Sequence, residues 1–256
     1  MLLRIIFALL FFTSMNAQAE TYKFCFEDWE PYASVDKSGK PFGTTVDIVQ
    51  EALKQLGHEA QFELIEVSQR CTAMVKEGQK DGFFFATMDS EDESAKFPKV
   101  KTSTEYWILS AIVPEDSPLQ KFTSLSEFKG KTFGTVTGYE YNDEINNEKK
   151  NWKIDEAPIA AQNMKKLSAK RIDFTIDDPA WALIEMKKNN LKFRILTPEI
   201  AAEKCYVVMS PKHTAFVKKL DEKLAELKKN GFFDQVYKKH IGITYEQFKK
   251  SNGINE

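Results

Sequence analysis

The chain has 256 residues and a formal net charge of −2, from 36 basic and 38 acidic side chains. A balance this close to neutral, with lysine spread along helical stretches beside glutamate, excludes the concentrated basic face that nucleic-acid binding needs. Cysteine and histidine are equally sparse: three of each, with no C-x-x-C pair and with His58, His213 and His240 far apart, so no metal cluster is legible.

The first residues carry a sorting signal. Met1-Leu2-Leu3-Arg4 is a basic start, Ile5 to Phe12 a short apolar run, and Ala17-Gln18-Ala19 an A-x-A site. Together they predict a secretory signal peptide over residues 1–19, cleaved after Ala19, and the apolar run is too short to span a bilayer. No cysteine follows the cleavage point to carry a lipid. An exported chain meets an oxidising compartment, so Cys25, Cys71 and Cys205 fit one disulfide and one leftover thiol.

Strands and helices then alternate. Tyr22 to Phe26 reads as a strand, followed by an acidic loop, Glu27-Asp28-Trp29-Glu30-Pro31-Tyr32. Val46, Val49, Leu53 and Leu56 fall at helical spacing in a helix from Thr45, stopped by Gly57. Gln61 to Val67 alternates as a strand, Gln69 to Glu77 reads as a helix with Cys71, Met74 and Val75 inward, and Asp81 to Thr87 is a continuously apolar strand suited to a covered parallel sheet. Met88 to Pro98 is a polar, acidic loop. Tyr106 to Val113 is an apolar strand, and Pro114 and Pro118 mark a boundary.

A second block repeats the pattern. Ser124 to Glu127 fits a capping box. Thr132 to Val136 is a β-branched and aromatic strand, Gly138 a sharp turn, and Tyr139 to Asn146 a helix. A helix over Ile159 to Ala169, a strand over Arg171 to Ile176, a helix through Trp181 to Lys187 and a strand over Lys192 to Leu196 complete the block. Cys205 to Met209 brings the chain back as a strand. Phe216, Val217, Leu220, Leu224 and Leu227 mark one long amphipathic helix ending at Asn230-Gly231, and Phe232 to Lys239 a last short one. The alternation predicts an α/β fold with two parallel blocks. The expected lobes are residues 20–112 with 204–256, and residues 113–203.

The residues point to a binding cleft rather than a catalytic centre. A strand ending in a glycine turn at a helix start, as around Val136 to Tyr141, offers free N–H groups and a positive dipole end to an anionic group. Trp29 beside a proline at a strand end suits either a pocket wall or packing. Asp178 before Pro179 is either a helix cap, a ligand contact, or both. Glu27 and Asp28 read as solvated loop charges, and Phe83 to Phe85 as core. No G-x-S-x-G, H-E-x-x-H or dinucleotide loop occurs.

Six stretches in order carry a resemblance: Trp29-Glu30-Pro31-Tyr32; Gly43 through Asp47-Ile48-Val49; Gly78-x-x-Asp81-Gly82; the Phe128 to Gly138 stretch around Gly130-Lys131; Arg171-Ile172-Asp173-Phe174 leading to Asp178; and Leu227-x-x-Asn230-Gly231-Phe232. The chain resembles the bacterial extracellular solute-binding proteins of family 3, the receptors of polar amino acid importers. The resemblance implies a two-lobed periplasmic binding protein of type II, each lobe a mainly parallel sheet flanked by helices, joined by two hinge strands and closing on a ligand. It implies that Trp29 stacks on the ligand, that Asp178 takes its α-ammonium, and that Ala86 and Thr87 with Tyr139 and Glu140 line the two sides.

The pattern also departs from the family. The arginine that grips the ligand carboxylate, expected within residues 88–97, is missing, and Glu93 stands near its place. Arg70 is the expected substitute, holding either a ligand carboxylate or a neighbouring acid. Cys25 and Cys71, both expected near the cleft edge of the first lobe, are the expected disulfide. The implied function is capture of a small polar solute (an amino acid or a related carboxylate or amine) and delivery to the permease of an ABC importer, by a monomer in the periplasm without cofactor, metal or nucleic acid. Alternatives are a cleft-based dehydratase similar to cyclohexadienyl dehydratase and a sensing partner of a membrane receptor.

Overall fold

A computed structural model describes residues 19–87 and 97–254. The signal-peptide expectation over residues 1–18 and the expectation for Glu93 lie outside them. The strands are β1 (Thr21–Phe26), β2 (Ser34–Val35), β3 (Pro41–Phe42), β4 (Glu59–Leu64), β5 (Gly82–Thr87), β6 (Glu105–Pro114), β7 (Thr132–Val136), β8 (Lys153–Ala157), β9 (Phe174–Asp177), β10 (Phe193–Ile195) and β11 (Ala201–Met209). The helices are α1 (Thr44–Gln55), α2 (Ser68–Lys76), α3 (Asp143–Lys149), α4 (Ala160–Ser168), α5 (Pro179–Asn189), α6 (Thr214–Lys229), α7 (Phe232–His240) and α8 (Tyr245–Ser251).

The sheet order is β4-β1-β5-β11-β6-β9-β7-β8, with β10 added on β6. On one side β1 pairs in parallel with β4 and β5, and on the other β7 pairs in parallel with β8 and β9. Two long strands join the sides. β11 is antiparallel to β5 over Cys205 to Met209 and to β6 over Ala201 to Cys205. β6 pairs with β11 through Leu109 and with β9 from Ser110 onwards, so the change of partner falls inside one strand. Continuous burial from Glu105 to Val113 follows from that position, since both faces of β6 are covered.

The helices bury the predicted stripes. α1 puts Val46, Val49, Ala52 and Leu53 inward, and α6 puts Val217, Leu220, Leu224 and Leu227 inward. Gly43 at the start of α1 has φ of 131°, and a Cβ there would stand 2.3 Å from the Tyr32 carbonyl oxygen, so only glycine fits. Cys25 on β1 and Cys71 on α2 form the expected disulfide, with Cα atoms 5.8 Å apart, and Cys205 is a buried free thiol.

Three local expectations change. The helix expected from Tyr139 begins at Asp143, because the Asn142 side chain caps it by accepting from Ile145 N at 3.0 Å. β8 was not expected: its sequence, Lys-Ile-Asp-Glu-Ala, is an exposed edge strand without an apolar run. α8 follows a Thr244 to Gln247 capping box beyond the last expected helix.

Candidate functional site

The C-terminal ends of the parallel strands from both sides converge on one cavity of about 90 Å³. This is the place where α/β sheets present ligand sites, because strand ends leave loops and helix starts facing a crevice. The first side contributes Glu27, Asp28 and Trp29 after β1, Ser68 and Thr72 of α2, and the end of β5. The second contributes Gly138, Tyr139 and Glu140 after β7, Asp177 at the end of β9, and Ala160 and Trp181 from helices. Trp107 and Cys205 reach the cavity from the two joining strands.

The two sides touch over the cavity. The Tyr139 phenol donates to a Glu27 carboxyl oxygen at 3.0 Å. Lys188 of α5 lies 3.7 Å from Asp28 and 3.7 Å from Glu185. Gly138, with φ of 86°, sits so close to Gln69 of α2 that a Cβ would meet its Cγ at 2.6 Å. Aromatic faces form much of the wall. Trp29 packs edge-on to Phe85 at 4.6 Å, and Trp107 packs on Tyr139 at 5.4 Å and on Tyr141 at 5.2 Å. Phe85 holds φ of 73°, an unfavourable conformation for a bulky side chain and one that concentrates at ligand sites.

The buried carboxyls hold their protons well above the ordinary range. Burial raises Glu27 to about 7; the Tyr139 hydrogen bond opposes this and the Asp28 charge adds to it. Burial raises Asp177 to about 8, against the hydrogen bond from Asp178 N at 2.8 Å and with the repulsion of Asp178 and Glu27. Asp178 is raised to about 7 by burial, although backbone N–H groups of Trp181, Ile108 and Ala180 point at it. Burial first, and then the Glu27 charge, push the Tyr139 phenol well above its usual value.

Among the residues expected from sequence, Trp29, Ala86, Thr87, Tyr139 and Glu140 stand on the cavity wall. Asp178 does not: it is fully buried as the N-cap of α5, accepting from Ala180 N at 2.9 Å and Trp181 N at 3.0 Å. Its neighbour Asp177 takes the wall position. Arg70 is exposed on α2 and outside the wall; the cavity-facing pair of that helix is Ser68 and Thr72, four residues apart. Glu27 and Asp28, read as solvated, and Trp107, Asp177 and Trp181, not singled out, complete the site. No group of three or more histidine, cysteine or acidic side chains among the described residues could hold a metal ion.

The fold is shared widely. An ancestral arginine-binding protein bound to glutamine has 21% sequence identity and a TM-score of 0.74, over 87% of this chain and 98% of that one. An arginine transport system periplasmic binding protein from Legionella pneumophila has 18% identity and a TM-score of 0.72, over 87% and 100%. A histidine kinase sensor domain with similarity to periplasmic binding proteins has 18% identity and a TM-score of 0.73, over 88% and 97%. At these identities the likeness establishes the fold: a two-lobed α/β protein of the periplasmic binding type. No curated protein sequence matches. The model of one family matches residues 23–243, nearly the whole described chain. The chain belongs to the bacterial extracellular solute-binding proteins, family 3.

Proposed function

We propose that this protein is a periplasmic receptor, exported by residues 1–19, that closes two lobes on a small polar solute and delivers it to the permease of an ABC importer. The lobes are residues 20–112 with 204–256, and residues 113–203, and β6 and β11 act as the hinge strands. The observation that carries the reading is the Tyr139–Glu27 hydrogen bond spanning the two sides over a cavity walled by both. A contact of this kind is made only in a closed clamp, so a solute that fills the cavity favours the same state. Trp29, Ala86, Thr87, Tyr139 and Glu140 belong to the ligand wall in this reading, with Glu27 and Asp177 added. Asp178 supports the site through α5, and Arg70 is a surface residue.

The reading is that of a binder rather than a catalyst, although two carboxyls with pKa values raised to about 7 and about 8 are also what a cleft dehydratase would use. Mass spectrometry of the solute released by denaturing protein purified from its native periplasm tests both. A discrete small molecule, recovered unchanged after rebinding and accompanied by compaction in small-angle scattering, supports the receptor. Conversion of the solute supports the enzyme.

A further inference from the structure

The chemistry of the cavity wall restricts what can sit inside it. Four carboxyl-bearing residues, Glu27, Asp28, Glu140 and Asp177, stand on the wall, and no lysine, arginine or histidine among the described residues does. Each arginine of the described chain is accounted for elsewhere. Arg70 and Arg171 are exposed. Arg194 spends its guanidinium on backbone carbonyls of Glu115, Ser117 and Leu119, at 2.7 to 3.1 Å. Two lysines at the margin of the wall are occupied: Lys99 donates to the Thr87 carbonyl at 3.2 Å, and Lys188 lies 3.7 Å from both Asp28 and Glu185. A ligand carboxylate placed here would meet acids without a bidentate partner, an arrangement that is strongly unfavourable when water is excluded.

The remaining wall suits a cation. The faces of Trp29, Trp107 and Tyr139 are electron-rich surfaces that attract one. Trp29 and Trp181 are both more than nine-tenths buried, and their indole N–H groups have no hydrogen-bond partner. Such neutral donors hold a hydroxyl or amide oxygen without neutralising a negative charge. We propose that the solute captured by this cleft is a small organic amine that carries no carboxylate, its ammonium seated between Glu27 and Asp177 and against the aromatic wall. This rests on the receptor reading and narrows it. Burial is the main cause of the raised proton affinity of Glu27 and Asp177, and the Glu27 charge adds to it at Asp177. An entering ammonium would stabilise both carboxylates and displace their protons.

The test is calorimetry and thermal shift on the mature chain with pairs of compounds that differ by one carboxylate: putrescine against ornithine, cadaverine against lysine, agmatine against arginine, with glutamate and a neutral diol alongside. The expected result is that at least one amine binds about tenfold or more tightly than its amino acid. Glu27→Gln and Asp177→Asn, each checked for a cooperative melt, should weaken that amine about tenfold or more. Tighter binding of an amino acid, glutamate or the diol overturns the inference and leaves the receptor reading standing. No binding and no compaction with any class overturns both.

Discussion

Replacing Asp177 by asparagine should make the ligand-free protein more stable, not less. Asp177 is 5% exposed, and its pKa is raised from 3.8 to about 8. Burial is the main cause, and the charged or titratable groups around it are Glu27, Asp178, Tyr139 and Tyr141. Between these two values the folded chain holds a proton that the unfolded chain releases. Stability is therefore full below about pH 4 and is lost as pH rises towards 8. Each pKa unit is worth about 1.4 kcal/mol, so at pH 7 the proton costs on the order of 4 kcal/mol. Relaxation of the neighbours leaves a measured gain of about 1–3 kcal/mol for a variant that needs no proton. Asparagine keeps an oxygen to accept the Asp178 N–H bond, so that contact survives. For a chain of this size the gain corresponds to a rise in Tm of roughly 3–10 °C at pH 7. Thermal melts of wild type and variant from pH 4 to 9 measure it. The variant's curve should be flatter, the two should converge near pH 4, and the variant should have lost amine affinity. A variant that melts lower than wild type at pH 8, or keeps the same pH slope, refutes the argument.

Three further outcomes can be measured on the same protein. Tyr139→Phe removes the Glu27 contact, worth about 0.5–1.5 kcal/mol, and should raise the radius of gyration of the ligand-free protein and weaken binding several-fold; unchanged scattering would show that the contact does not hold the lobes together. Gly138→Ala puts a Cβ 2.6 Å from Gln69 Cγ at φ of 86°, and should cost about 1 kcal/mol or more and weaken binding. Adding Gln69→Ala should restore lobe closure but not the backbone term, and no rescue of binding would show that Gln69 is not the obstacle. Cys71→Ser opens the loop closed by the Cys25–Cys71 bond, so its denaturation midpoint should fall by the equivalent of roughly 4 kcal/mol, with Cys205 mapping as a free thiol in the wild-type protein.

Much of the architecture is legible because its signals are local. The apolar run of β5, the helical stripe of α6 and the glycine stops each state their element within a dozen residues. β8 was not legible because an exposed edge strand needs no apolar face: Ile154 at its centre is 47% exposed, and its pairing with β7 supplies the structure. The signal for α8 is the Thr244 to Gln247 capping box, a polar signature rather than an apolar stripe. Arg70 shows a limit of another kind. Placing it near the cleft requires the rotation of α2, which the disulfide sets: Cys71 and Val75 face the core, Ser68 and Thr72 face the cavity, and Arg70, one step before Cys71, turns about 100° to the side opposite Thr72, into solvent.

The acids of the site divide by the same logic. Glu27 looks like a solvated loop charge until Tyr139, 112 residues away in sequence, covers it from the other side of the cleft. No pattern near Glu27 encodes that. Asp177 and Asp178 are different, because the local sequence Asp-Asp-Pro nearly determines their roles. Pro179 lacks an N–H and begins α5, so the residue before it must satisfy the N–H groups of Ala180 and Trp181, and an aspartate does so with one oxygen. That commitment holds Asp178 within the fold at 0% exposure. Successive residues of a strand point to opposite faces, so Asp177, the last residue of β9, is directed to the side that Asp178 leaves, where the cavity lies. The acid that fits the cap most readily is therefore the one least free to meet a ligand.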